Sequence, residues 1–492
     1  MNVYKFSCIT QSDIFMGFAG DLTGETTSLL MRVISPIASY AVKIVSKVLR
    51  SLFGKDPERD ARREEFKAKF PLANEQVTSF APSGVFFGKQ YDRFVIKPEG
   101  MSGHVLVCGT PGSGKSSCIA IPTLRNWAGT VFAVDIKGEL HANAKTYRKR
   151  IKVFDPKDKT CPYYYDPYVF LKTSTNPAQE ARAIAEAILP LQHDAKEPFW
   201  IECAQLILTG AILHYYDSKE TFIGTLMKIQ RQDPAALINI LAKSSNDDAV
   251  LHACTFVKME GKTLAGVSAE ITRAVTAIVA DKELVAALSH SAGKSVISPS
   301  DLEYGHDVYL KIPEYLLRQW KHLVTLIINQ FITFFEKRLE GFDNRPILFL
   351  LDEFPRLGKI PAVHDALATL RSKNVTVCII IQSLAQLKLI YGHDAQEAIA
   401  DMCAFKAVLG VSDRNTQKYF SDLVGTYEKM RRSQSENFDP YVGASTGHGK
   451  NYSYDNDKPI IKPEEFAYLK EIILLYPLPL NFCRVQKQPY YI

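Results

Sequence analysis

Long apolar runs are missing from this sequence of 492 residues. No stretch reaches the ~18 consecutive apolar residues of a spanning helix, so none is expected. The opening "MNVYKFSCITQSDIF" lacks the apolar core of a secretory signal. Paired cysteines are missing too. The nine, at 8, 108, 118, 161, 203, 254, 378, 403 and 483, never take the close spacing of a zinc or redox motif. Reduced thiols in a cytosolic protein are the expectation. Charge of one sign is scarce: 59 Lys and Arg stand against 53 Asp and Glu, for a net +6. Between Leu29 and Lys69, ten basic residues face five acidic ones, so nearly all of the excess sits in one N-terminal segment. A uniformly basic coat for nucleic acid is therefore disfavoured. No internal repeat is visible.

What is present is organised in blocks. In "LLMRVISPIASYAVKIVSKVLRSLF", Leu30, Ile34, Ile37, Ala41, Ile44, Val48 and Leu52 recur at helical steps. Lys43 and Arg50 fall on the other face. Such a basic amphipathic helix over 29–53 can lie on an anionic membrane, or bury its apolar face against this chain or a sister subunit. From about Phe80, short β-rich runs alternate with helical stretches, which predicts an α/β fold with a mainly parallel sheet. From about Asn176 to Ser289 the strand texture gives way to helical periodicity, and it returns in "DVYLKIP", "PILFLLDEF", "NVTVCIIIQS" and "FKAVLGV". The expected division is an N-terminal segment 1–79, a nucleotide-binding domain 80–175 with 308–492, and an all-helical insertion 176–307. The Ser-, Gly- and Asn-rich stretch 431–459 reads as a mobile loop.

"GTPGSGKS", from Gly109 to Ser116, fits G-x-x-x-x-G-K-[ST] at every fixed position, behind an apolar strand and ahead of a helical pattern. Gly109, Gly112 and Gly114 permit backbone turns that aim successive N–H groups at phosphate oxygens, with Thr110, Pro111 and Ser113 completing the loop and Ser117 following it. Lys115 is expected on the β- and γ-phosphates of ATP and the Ser116 hydroxyl on magnesium. Far downstream, the apolar strand Ile347 to Leu351 delivers Asp352, the second magnesium residue, and Glu353, placed to polarise an attacking water. A carboxylate of that kind is not needed by a mere binding switch. ATP hydrolysis is the leading reading.

These motifs sit in a larger ordered set: an Asp-x-Lys-Gly-Glu signature at Asp135, Lys137, Gly138 and Glu139, "FDP" at 154–156, "PFW" at 198–200, "LLDEFPRLGKIP", "IIIQSLAQL" and "KPIIKPEEFAYLK". From about Ser83 onward the set resembles the type IV secretion coupling proteins, the TraG/TraD-like ATPases of bacterial conjugation. The resemblance implies a RecA-like P-loop NTPase domain with an inserted all-alpha domain, assembled as a hexameric ring with ATP between subunits. Arg371 matches that family's proposed arginine finger, though a solvent-facing helix-end arginine is the alternative. Gln382 matches a residue expected to sense the γ-phosphate, or is a simple strand-end glutamine. Asp135 and Glu139 are weaker candidates, supporting or structural. The implied partners are single-stranded DNA, relaxase or relaxosome components or effector proteins, and type IV secretion channel components. The implied place is the cytoplasmic face of the bacterial inner membrane. The family usually carries two transmembrane helices ahead of the motor, and none is expected here; a peripheral contact through 29–53, or a partner protein, would supply the anchor. The alternatives are a nucleotide-regulated substrate receptor and a translocase of the FtsK kind.

Overall fold

The computed structural model describes residues 57–191, 198–341, 344–439, 444–477 and 480–491, so the amphipathic segment 29–53 lies outside the described residues. The chain divides into two compact units, one of 69–427 with 457–492, the other of 1–68 with 428–456.

The larger unit is built on nine strands: β1 (Val105–Gly109), β2 (Thr130–Asp135), β3 (Ile151–Phe154), β4 (Asp307–Lys311), β5 (Ile347–Leu351), β6 (Val375–Ile381), β7 (Phe405–Gly410), β8 (Ile472–Pro477) and β9 (Leu480–Val485). Their order across the sheet is β9-β8-β7-β1-β6-β5-β2-β4-β3. All pairs are parallel except β7 with β8 and β8 with β9. The central strands are buried along their whole length, which is why they read as unbroken apolar runs instead of alternating ones.

Side chains still alternate between faces. Leu106, Phe132, Val134, Phe349 and Leu351 enter one core; Val107, Val131, Ala133, Leu348 and Leu350 enter the other. The second core is closed by the helix after the phosphate loop and by a small sheet to which Val85, Phe87 and Val95 belong. The first is much larger. It takes in the helix Leu317–Glu336 and the apolar faces of a run of helices between Pro177 and Ala287.

That run shows how local chemistry sets the boundaries. Asn176 and Asp233 each precede a proline, and their side chains accept backbone N–H groups of Gln179, and of Ala235 and Ala236. A capping side chain followed by a proline that needs no donor starts a helix at a defined residue. Asn246 and Asp281 cap two more helices. The result is the expected fold class, α/β with a mainly parallel sheet and an inserted all-helical segment.

The described residues within 431–459 are not the loop that their composition suggested. Strands Thr426–Asp439 and Ala444–Pro459 form a two-stranded sheet of their own. Backbone pairing needs no apolar side chain, so a polar ribbon escapes a reading based on composition. The charged residues 57–69 form the helix Pro57–Lys69.

Candidate active site

The site begins where β1 ends. Gly112 and Gly114 have φ +76° and +103°, backbone conformations that a side chain would strain. Behind them the chain winds directly into a helix, π-wound over Lys115–Ala120 and α-helical over Ile121–Asn126. The loop is tied at both ends: Thr110 N donates to Gly410 O at 2.7 Å on β7, and Cys118 N donates to Gly114 O at 2.7 Å. Ser113 Oγ is buried with no hydrogen-bond partner. Lys115, nearly buried, donates from Nζ to Gly109 O at 2.7 Å and Thr110 O at 3.1 Å. Burial pulls its pKa down, while Glu353 and then Asp352 pull it up. The lysine and the acidic pair therefore share one electrostatic site.

Strand order explains how residues so distant in sequence meet. β6 lies between β1 and β5, with Cys108 opposite Ile381 and Leu351 opposite Ile379. Three parallel strands thus end side by side, presenting Gly109, Asp352 and Gln382 at one edge. Asp352 is 5% exposed. Burial, and after it the charge of Glu353, push its carboxyl up to about 6, against Lys137, the Glu353 N–H and Lys115. Glu353 occupies the left-handed region at φ 51°, ψ 37°, which costs a non-glycine residue about 1–2 kcal/mol. Its own N–H donates to Asp352 Oδ1 at 3.0 Å. Its side chain is held from two sides. Lys137 Nζ lies 3.2 Å from Oε1, and Gln382 Nε2 donates to Oε2 at 3.2 Å. Gln382 is steadied in turn by Gln386, whose Nε2 donates to Gln382 Oε1 at 3.3 Å.

Lys137 is the site residue that sequence reasoning did not assign. It lies in the Asp-x-Lys-Gly-Glu signature just past β2, and one neighbour of that strand is β5. Asp135, by contrast, is buried and accepts the His141 N–H at 2.9 Å, closing the turn into the helix Glu139–Ala144. Glu139 is exposed on that helix. With its ammonium half in solvent, the Lys137–Glu353 pair adds little to stability; its effect is to orient the carboxylate. Lys137→Ala is expected to lower kcat about tenfold with little change in KM. It also removes one of the charges holding the Asp352 pKa down, so Asp352 protonates at higher pH and the acid limb of the pH–rate profile moves up. Lys137→Arg should restore both. An unchanged acid limb in Lys137→Ala would refute the role.

Arg371 is not part of this constellation. It sits on the short turn Leu370–Lys373, immediately before β6, where its Nε donates to Ser102 Oγ. β6 spans seven residues, so at ~3.3 Å per residue Arg371 lies roughly 20 Å from the phosphate edge of its own chain. Lys115, Asp352, Glu353 and Gln382 are brought together; Arg371 faces away.

Magnesium fits this edge. Asp352 is a buried carboxylate with raised pKa, and Ser116 stands on the first helical turn. Among the described residues no group of three or more His, Cys, Asp or Glu could hold a metal. One carboxylate and one hydroxyl suit an ion that takes its remaining ligands from phosphates and water.

The comparisons with known proteins agree with one another. The family described as "Type IV secretory system Conjugative DNA transfer" matches residues 58–479. Protein VirD4 of Rhizobium rhizogenes is 26% identical over 398 residues, covering 76% of this chain and 57% of the relative. The conjugal transfer protein TraG of Escherichia coli is 24% identical over 419 residues, covering 78% and 65%. The chain thus spans less than two thirds of the length of either. Among solved structures, the bacterial conjugative coupling protein TrwBdeltaN70 superposes with a TM-score of 0.63 at 17% identity, over 86% of this chain and 91% of that one. Among the described residues no helix is long and apolar enough to cross a membrane. The fold is that of TrwB, and the chain belongs to the type IV secretory system conjugative DNA transfer family.

Proposed function

We propose that this chain is the coupling ATPase of a conjugative type IV secretion system, hydrolysing ATP to recruit a DNA–protein or protein substrate and move it into the secretion channel. The observation that carries this reading is the convergence of Lys115, Asp352, Glu353 and Gln382 at one sheet edge, with the Glu353 carboxylate held from two sides. The similar structure TrwB has been solved with ADP and Mg2+ and with a non-hydrolysable ATP analogue.

In this reading the N–H groups of 112–117 bind the phosphates, and Lys115 leaves its loop carbonyls for the β- and γ-oxygens. Ser116 and Asp352 would hold Mg2+, which neutralises charge on the phosphates when bound. Glu353 polarises the attacking water, and Gln382 links the γ-phosphate position to that carboxylate. Arg371, displaced to the opposite edge, serves the site of a neighbouring subunit in a hexameric ring. The domain limits proposed are 1–79, 80–175 with 308–492, and 176–307. The place proposed is the cytoplasmic face of the inner membrane, held peripherally through 29–53 or by a partner.

Steady-state ATP hydrolysis and solution mass of the purified protein test this together. Turnover by a species of hexameric mass is the expected result. Arg371→Ala should lose about 10³–10⁵ in rate. Its intact site should regain turnover in rings mixed with Lys115→Ala subunits, which still carry Arg371. No turnover by wild type would overturn the ATPase reading, and no complementation would overturn the trans role.

A further inference from the structure

Pro122 leaves the phosphate-loop helix short of a donor. In an α-turn the carbonyl of residue i takes the N–H of residue i+4, and in a π-turn that of i+5. For Ser117 the π-turn partner is Pro122, which has no N–H. The α-turn partner is Ile121, whose N–H donates to Ser116 O instead. Ser117 lies within the π-wound residues Lys115–Ala120, directly after the two residues read as phosphate and magnesium contacts. A backbone carbonyl inside a helix is rarely left unpaired. This one is met from outside the helix, where Tyr490 N donates to Ser117 O at 3.0 Å.

The segment that delivers this donor follows β9 and is anchored along its length. Gln486 and Lys89 exchange both backbone hydrogen bonds, at 2.7 and 3.2 Å. Lys487 Nζ donates to Leu409 O at 3.0 Å and to Leu469 O at 3.2 Å. Leu409 precedes Gly410, the residue on β7 whose carbonyl accepts Thr110 N. The segment therefore holds the strand that ties down the opening of the phosphate loop. At its far end Tyr490 is gripped by the helix it serves. Arg125 Nη1 donates to Tyr490 O at 3.0 Å, and its Nε donates to Asn143 O at 2.9 Å. The guanidinium lies over the rings of Tyr490 and Tyr147, 4.6 and 4.4 Å from their centroids.

The winding of this turn decides where two site residues point. Rewinding it as α would pass the Ile121 N–H from Ser116 O to Ser117 O. That change would turn Lys115 and Ser116 about the helix axis relative to the rest of the helix. With Ser117 O already satisfied from outside, rewinding gains nothing. Single π-turns inside α-helices occur mostly at functional sites.

We propose that Tyr490 is a positioning residue for the nucleotide site: its backbone N–H holds the first turn of the phosphate-loop helix in the π winding that aims Lys115 and Ser116. The inference rests on the nucleotide reading above and adds a residue that touches neither phosphate nor metal.

The test is equilibrium binding of a fluorescent methylanthraniloyl-ADP to the full chain, with and without Mg2+. Tyr490→Pro removes the N–H and Tyr490→Ala keeps it, while both lose the ring over Arg125. Tyr490→Ala should bind within about threefold of wild type, the scale of one exposed cation–ring contact. Tyr490→Pro should bind about tenfold more weakly than Tyr490→Ala, the scale of one lost backbone hydrogen bond. The gain in affinity that Mg2+ brings should shrink in Tyr490→Pro and persist in Tyr490→Ala, because Ser116 stands in the turn that rewinds. A merely structural role would lower thermal stability and leave that gain alone. Thermal melting checks folding; should Tyr490→Pro fail it, an ester analogue of Tyr490, with oxygen replacing the N–H, takes its place with the same expectation. Equal affinities in the two variants, whether both unchanged or both weakened, would overturn the proposal, as would an undiminished Mg2+ gain in Tyr490→Pro. Wild-type ATP turnover on the same preparation separates the two readings. Normal turnover with equal affinities removes the role of Tyr490 alone, and absent turnover with the tenfold difference intact removes the ATPase alone.

Discussion

Glu353→Gln is expected to stop steady-state ATP hydrolysis, by about 10²–10⁴-fold, the usual contribution of a positioned general base, while leaving ATP bound. The substitution keeps the size of the side chain and one carbonyl oxygen for Gln382 Nε2 to donate to, so the Gln382–Gln386 relay can persist. It removes the charge that faces Lys137 and the capacity to take a proton from water. It also removes the second largest cause of the raised Asp352 pKa, so Asp352 ionises more readily and Mg2+ binding should tighten slightly. Fluorescent-nucleotide binding with single-turnover kinetics would show tight binding and no burst. Robust turnover by the variant would end the assignment of Glu353 as the activating carboxylate.

The second large effect is at Lys115. Lys115→Ala is expected to reduce hydrolysis by at least about 10²–10³, the scale on which removing one preorganised donor to a developing anion acts, and to weaken nucleotide binding as well. The two effects appear together because the ammonium meets phosphates in both ground and transition states. Lys115 Nζ donates to Gly109 O and Thr110 O, the two carbonyls that open the loop. Its loss leaves those carbonyls without that donor and removes a cation that opposes the raised Asp352 pKa. A melting curve close to wild type, with nucleotide affinity and turnover both lost, is the expected pattern. Full affinity with lost turnover would restrict Lys115 to the transition state, and retained turnover would refute the site.

Much of this was legible in the sequence because local chemistry enforces it. The phosphate loop is a contiguous device whose glycines, lysine and hydroxyl must stand at set spacing. β5 announces itself by five apolar residues, Ile347–Leu351, that end in two acids. The helices after Asn176 and Asp233 announce their starts by a capping side chain and a proline. Composition failed at 431–459, which read as a loop, because the pairing of strands Thr426–Asp439 and Ala444–Pro459 is made by backbone groups that composition does not report.

What the sequence by itself determined is the presence of a phosphate-binding loop, an acidic pair at a strand end and a helical block between them, since each is written in consecutive residues. Only the tertiary structure decided which of these touch. Inserting β6 between β1 and β5 sets Gln382 against Glu353, and placing β2 beside β5 delivers Lys137 to the same carboxylate. The same strand β6 carries Arg371 at its start and Gln382 at its end, so its length separates the two by a sheet's width. Strand order is fixed by long-range packing between segments hundreds of residues apart, and no local pattern encodes it.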